Sequence, residues 1–302
     1  MALRDQGTMA LGYPWKAELM GIALLFLSCC PSCVPTKGMT VAAVGSILED
    51  VVKSSSKQTD ITVIREGTPA YLMLIDGLIE AYPDNEELLL AGVKAYSSYA
   101  ALFAEEDREK AQLLYSKAKH YGLRALSKRE QFKELLPKPL AQFEACVLDF
   151  REKDIPALFW TASSWGSWIS LNTDSVQAMA QVPKVLCLME RVLDLDEGYY
   201  YGGPHLFMAV YHMSKPKAYG GNPEKARQHF ERAFELGEGK FLMAYVFYAK
   251  YYARQMLDRE LFVTTLEKVL NAPADSVPEL TLLNTMAKQQ AEELLERVND
   301  YF

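Results

Sequence analysis

No run of Lys or Arg longer than two occurs in the 302 residues, and the formal net charge is −7. A nucleic-acid binder would present a basic face, so that class is set aside; an acidic surface of this kind mainly favours solubility. Long Gly-, Ser- or Pro-rich stretches are missing, and little of the chain reads as disordered. Apolar/polar alternation never persists for six residues, apart from a weak strand-like "DITVI" at 60–64. Cysteine is scarce beyond residue 33: only Cys146 and Cys187, each in an apolar helical context. An oxidising compartment would permit a bridge between them, but such residues commonly serve as small buried hydrophobes. The sequence has no H-E-x-x-H, no phosphate loop ending in Gly-Lys-Ser/Thr and no G-x-S-x-G elbow, which removes the usual signatures of a zinc hydrolase, a nucleotide-binding enzyme and a serine hydrolase. Half the residues are hydrophobic, enough for a sizeable core without disulfide or metal staples.

The first apolar segment, Leu19–Leu27 ("LMGIALLFL"), follows Arg4 and Lys16 and is nine residues long. A bilayer span takes about 20 residues, so this length suits the apolar core of a secretory signal. "LSCCPSC" comes directly behind it. Leu27-Ser28-Cys29 resembles a bacterial lipobox. The resemblance implies cleavage of 1–28, a lipidated Cys29 with Cys30 as the fallback, and a tether over 29–39. The competing reading is an ordinary signal with incidental cysteines.

From residue 40 onward the apolar spacing is helical, three and four apart: Val41, Val44, Ile47, Leu48, Val51, then Leu72, Ile75, Leu78, Ile79. The pattern predicts one all-α domain over 40–302 with about a dozen helices. One device recurs inside it. Ala111, Tyr115 and Ala118 stand at i, i+4, i+7; so do Ala226, Phe230, Ala233, and, with larger residues, Phe262, Leu266, Val269 and Val185, Met189, Val192. A small residue lets a neighbouring helix approach, and the large one fills the groove beside it. This is the second-helix pattern of tetratricopeptide (TPR) pairs, here degenerate and irregularly spaced. It predicts stacked helix pairs in a TPR-like solenoid, with the polar-faced segment Leu280–Val298 as a capping helix.

The segment Tyr199–Gly221, "YYYGGPHLFMAVYHMSKPKAYGG", reads as punctuation between such helices. Gly202-Gly203 turns the chain and Pro204 opens a helix, where its missing N–H costs nothing. Gly220-Gly221-Asn222-Pro223 repeats the device, with Asn222 as cap. His205 and His212 are seven apart, about 10.5 Å along a helix and too far for one metal ion; they read as partly exposed helix residues. Acidic pairs such as Glu86-Glu87 read as solvated first-turn charges. Neither a catalytic centre nor a cofactor or metal site is expected. The aromatics are more informative. Trp160, Trp165 and Trp168 fall within nine residues, and a helix ringed in this way is either central in the bundle or lines a cavity. Three consecutive tyrosines cannot all face one core. Trp160, Trp165, Trp168, Tyr200 and Phe207 are therefore the candidate ligand contacts.

The block Tyr199–Gly237, "YYYGGPHLFMAVYHMSKPKAYGGNPEKARQHFERAFELG", resembles the signature region of the T component (TatT) of TPR-associated TRAP transporters. The lipoprotein-like start and the TPR pattern agree with it. The resemblance implies a periplasmic, lipid-anchored, non-enzymatic accessory subunit. It also implies a homotrimer and docking to a solute-binding P component; a small hydrophobic or organic-acid ligand is the further expectation. The alternative is a TPR lipoprotein scaffold for outer-membrane or envelope assembly, with no ligand and no transporter partner.

Overall fold

The computed structural model describes residues 47, 48, 50–215 and 220–302; the expected signal segment, Cys29 and the tether lie outside the described residues. A leading helical stretch, 50–56, is followed by α1 (Ile61–Ala81), α2 (Glu86–Ala101), α3 (Arg108–Leu126), the short α4 (Glu130–Leu135) and α5 (Leu140–Val147). The Trp-rich α6 (Ile155–Ser170), α7 (Val176–Met179), α8 (Val182–Leu195), α9 (Tyr199–Met213) and α10 (Pro223–Leu236) form the middle. α11 (Leu242–Phe247), α12 (Arg259–Asn271), α13 (Thr281–Glu296) and α14 (Val298–Tyr301) complete the chain. The described residues contain no strand, and the chain is an all-α helical repeat solenoid.

Local chemistry sets the helix starts. Asn85, Asp107 and Asn222 accept the backbone N–H of Leu88, Lys110 and Lys225 at 2.9, 3.0 and 3.1 Å, the N-caps their positions call for. "DITVI" is not a strand. Asp60 accepts from the N–H groups of Thr62 and Val63 at 2.8 and 3.2 Å and so starts α1; the cap overrides the β-branched run behind it. Pro69 inside α1 cannot donate to the carbonyl of Arg65, four residues back. The Tyr99 hydroxyl of α2 takes over and donates to that carbonyl at 3.2 Å.

The small–large–small triplets are the core. Ala111, Tyr115, Ala118, Ala226, Phe230, Ala233, Phe262, Leu266, Val269, Val185, Met189 and Val192 are all buried. They draw the helices into pairs: α2 packs on α3, α3 on α6, α6 on α8, α9 on α10 and α12 on α13. Asp76 ties three helices together, accepting from the Tyr96 and Tyr121 hydroxyls at 2.7 Å each and from Lys117 Nζ at 2.5 Å. Residues 45–302 form one compact unit, and its ends meet. α13 touches α1, and Lys250 pairs with Glu105 across 145 positions of sequence. Lys250 lies in a π-helical continuation of α11, Tyr248–Ala253, whose wider turn has no Pro or Gly to announce it.

At the α3–α6 crossing Gly122 is a notch. A Cβ there would stand 2.9 Å from both Cβ and Cγ2 of Thr161, a β-branched side chain with little rotamer freedom in a helix. Gly122→Ala should cost about 1–3 kcal/mol in urea unfolding, and Gly122→Ala/Thr161→Ala should recover more than half of it. An unchanged urea midpoint for the single variant would show that the crossing does not depend on the notch.

Candidate functional site

The α6–α9 crossing collects most of the candidate residues. Gly166 on α6 makes room for Phe207 on α9: a Cβ at 166 would meet Phe207 Cε2 at 2.7 Å. One turn and a half earlier on α6, Trp160 stands edge-on to Tyr200, with ring centres 5.0 Å apart. Phe159 meets Tyr199 and Tyr200 at 5.2 and 5.7 Å, and Phe241 closes the group against Tyr200 and Tyr201 at 6.2 and 6.0 Å. The result is an aromatic wall in which Trp160, Tyr199, Tyr200 and Tyr201 keep some surface while Phe159 and Phe241 are buried behind them; Phe207, over Gly166, is also partly exposed.

The wall depends on an unusual backbone. Tyr200, Tyr201 and Gly202 are left-handed, with φ of 50°, 58° and 77°. Each such non-glycine residue costs roughly 1–2 kcal/mol, and strain of this kind is kept where surroundings over-determine it. The determinant here is α10. A Cβ on Gly202 would lie 3.0 Å from Ala233 Cα, so glycine alone satisfies both the positive φ and the close approach. The left-handed turn takes the tyrosines off the helical spiral and brings two consecutive rings onto Phe241. Burial pushes the hydroxyl pKa values of Tyr199 and Tyr200 up, so the wall is uncharged at neutral pH.

Trp165 and Trp168 sit apart from that group. Trp165 is fully in the core and its Nε1–H donates to Gln181 Oε1 at 2.7 Å. Trp168 is half-buried beneath Lys119, whose Nζ lies 3.8 Å from the ring centre and donates to the same Gln181 oxygen at 2.9 Å. Desolvation lowers the Lys119 pKa to about 8; the indole face and the amide oxygen offset part of that cost. Thus the five candidates divide into Trp160 and Tyr200 on the aromatic wall, Phe207 over Gly166, and Trp165 and Trp168 at the Lys119–Gln181 pair. Sequence reasoning did not single out Lys119, Gln181, Phe159 or Phe241. Lys119 follows buried Ala118 and stands four after buried Tyr115, an edge position that could have flagged it.

The histidines also converge, which their spacing along α9 did not reveal. His229 on α10 lies between His205 and His212: His205 Nδ1 and His229 Nδ1 are 2.8 Å apart, and the His212 and His229 rings stack at 5.6 Å. Only one proton fits between the two Nδ1 atoms, so one of these rings presents a bare nitrogen there. His205 Nε2 lies 2.9 Å from Glu197 Oε2, and Glu197 also pairs with Arg232. Among the described residues no group of three or more His, Cys, Asp or Glu could hold a metal ion. Cys146 and Cys187 are free thiols, the first buried and the second half-buried.

Burial, with His205, His212 and Lys225 nearby, lowers the His229 pKa to about 4, against an ordinary value near 6.5. The unfolded chain therefore binds a proton more readily than the folded one as pH falls below about 6.5. Stability present above that pH should decline down to about pH 4, by on the order of 1–2 kcal/mol for a half-buried ring screened by water. Thermal melts over pH 4–7.5 test this: His229→Gln should flatten the decline, and an equal slope in the variant would place its origin elsewhere.

A search of curated proteins returns no match to the chain. The model of the TRAP transporter T-component family matches residues 57–302, nearly the whole described helical unit. On that match, over far more than half its length, the chain belongs to the TRAP transporter T-component family.

Proposed function

We propose that this T component is a periplasmic lipoprotein, anchored through Cys29, that docks the solute-binding P component of its transporter and holds a hydrophobic or organic-acid ligand against the aromatic wall. The observation that carries the reading is the family match over 57–302. Family membership makes it an accessory subunit associated with TRAP transporter components; the partner, the ligand, the anchor and a homotrimeric assembly are the finer parts of the proposal. Chemistry supports the ligand class. The wall of Trp160, Tyr199 and Tyr200 is aromatic and uncharged, and such surfaces with a few polar groups suit small organic molecules. Lys119 beside Trp168 offers one amine for an acidic group. The work of such a subunit is physical: binding, orienting and handing on, with no bond made or broken.

Affinity capture from solubilised membranes, with the full chain as bait, should recover an extracytoplasmic solute-binding protein in near-equal amount. Its absence would end the transporter reading. Cys29→Ser should shift the chain from the membrane pellet to the soluble fraction. Sedimentation of the purified protein should show three-fold association. Mass spectrometry of co-purifying small molecules should find an apolar or acidic compound whose recovery drops about tenfold, on the order of 1.4 kcal/mol, in Trp160→Ala; equal recovery would remove the wall as its site.

A further inference from the structure

The imidazoles of α9 and α10, with Glu197 and Arg232, bracket the strained turn that builds the aromatic wall. Glu197 stands just before the three left-handed residues Tyr200, Tyr201 and Gly202, and His205 just after them. On a regular helix, residues eight apart lie about 12 Å apart along the axis. Here His205 Nε2 is 2.9 Å from Glu197 Oε2, so the left-handed turn folds its two ends together and their contact closes it. Both ends are then fastened to α10. Arg232 pairs with Glu197, and His229 Nδ1 stands 2.8 Å from His205 Nδ1. The His205 side chain is only 12% exposed, so these partners, and not water, satisfy its nitrogens.

The proton positions follow from Glu197. Arg232, with His205, holds its carboxyl down to about 2, so it is ionised and can only accept. His205 Nε2 therefore carries hydrogen and donates. In the neutral ring its Nδ1 is then bare, and His229 Nδ1–H donates to it. One added proton is accommodated on the outer nitrogen of His229, with a single proton still in the bridge. A second has no place except in the bridge, where two N–H groups would face each other at 2.8 Å. The surroundings do not offset that charge. Burial, with His205, His212 and Lys225, already lowers the His229 pKa to about 4. Asp196 accepts from the Gly198 N–H at 2.9 Å, and Glu235 from Arg232 at 2.8 Å. On α8, Arg191 donates to the Phe150 carbonyl at 2.7 Å, and Glu190 lies beside Asp194 and Glu144. α6 brings the uncharged Phe159 and Trp160 to α9, and the π-helical segment meets α10 with Tyr248 and Tyr252 at Phe230. Among the described residues Glu197 is thus the carboxylate that faces the imidazoles.

We infer that Glu197, His205, His229 and Arg232 form an acid-released clamp on the left-handed turn: a second proton entering the imidazole pair parts α9 from α10 at His205, frees the turn and takes Tyr200 and Tyr201 off Trp160 and Phe241. The proton comes from solvent, and only hydrogen bonds break. An opened pair binds protons that the closed pair refuses, so falling pH favours the open form. The strain of the left-handed residues acts in the same direction. Discharge of a ligand from the wall on acidification rests on the proposed function; the clamp rests on the contacts of these four side chains.

Hydrogen–deuterium exchange of the full chain, read by mass spectrometry at pH 4.5–7 and corrected for the intrinsic pH dependence of exchange, tests this without ligand or partner. Protection of the amides between Glu197 and His205 should fall about tenfold from pH 6 to pH 4.5, as uptake of one proton between about 6.5 and 4 requires, while α2 and α3 keep theirs. His229→Gln, whose amide can donate to His205 or accept from it but takes up no proton, should change less than twofold over that range. Glu197→Ala should show the acid level of exchange already at pH 7. If His229→Gln does not fold, the imidazole C2–H NMR signals decide, in a His120→Gln background that removes the histidine outside the cluster. One of them should titrate below pH 5 in step with the loss of protection. Protection that holds at pH 4.5, falls equally in His229→Gln, stays at the neutral level in Glu197→Ala or falls out of step with every imidazole overturns the proposal. Failure to capture a solute-binding protein would leave these outcomes unchanged, so the clamp and the transport reading fail separately.

Discussion

The closeness of helix to helix at small residues governs the rest of this structure. Thr161 of α6 fits over Gly122 of α3, Phe207 of α9 fits over Gly166 of α6, and Gly202 in the left-handed turn at the start of α9 lies on Ala233 of α10. In each case one side supplies a missing side chain and the other supplies a bulky or rigid group. Packing of this kind is unforgiving because interiors are as dense as organic crystals and transmit a displaced methyl to its neighbours. It also sets geometry. Were the α6–α9 crossing wider by a side chain, Trp160 and Tyr200 would lose their edge-on contact and the aromatic wall would open into separate rings.

The strained turn follows from the same constraint. Two tyrosines in the left-handed region together cost a few kcal/mol, a large part of the margin by which a domain is stable. Ala233 and Leu236 on α10 hold the turn from one side, and Phe159 and Phe241 fill the space on the other. Relaxing Tyr200 and Tyr201 to right-handed geometry would send at least one ring into water and leave Phe241 without its aromatic neighbours. Aromatic contacts of this type contribute about 0.5–1.5 kcal/mol each beyond their buried area, and several of them share the cost of the turn. The histidines are grouped by the same helix pair, because α9 and α10 approach closely enough for His205 and His229 to share a proton.

Much of the fold was legible because helices are governed by local rules. Asn85, Asp107 and Asn222 cap where a polar residue precedes a periodic run, and Pro204 and Pro223 open helical segments as their missing N–H predicts. The four triplets are buried because their spacing matches one face of a helix. What escaped was non-local. "DITVI" has strand composition, and only Asp60 acting as a cap tips it into α1. The π-helical stretch has no sequence signature, yet it places Lys250 against Glu105. In the candidate site, grouping by sequence proximity joined Trp160, Trp165 and Trp168, whereas the helix turns Trp165 into the core and gives Trp168 to Lys119. Counting along α9 kept His205 and His212 apart, while His229 arrives between them from a different helix.

The two ends of the stack explain why α1 differs from its neighbours. A solenoid needs a polar outer face on its terminal helices, since no further repeat covers them. α13 meets this requirement: Gln289, Glu292 and Glu293 face outward, and its inner side rests on α11, α12 and α1. α1 is the first long helix among the described residues, preceded by the helical stretch 50–56, and it lines its outer face with valine, methionine, leucine and glycine. Contact with α13 satisfies one flank and α2 satisfies the inner face. The remaining side is left with a cap's position and a core's composition.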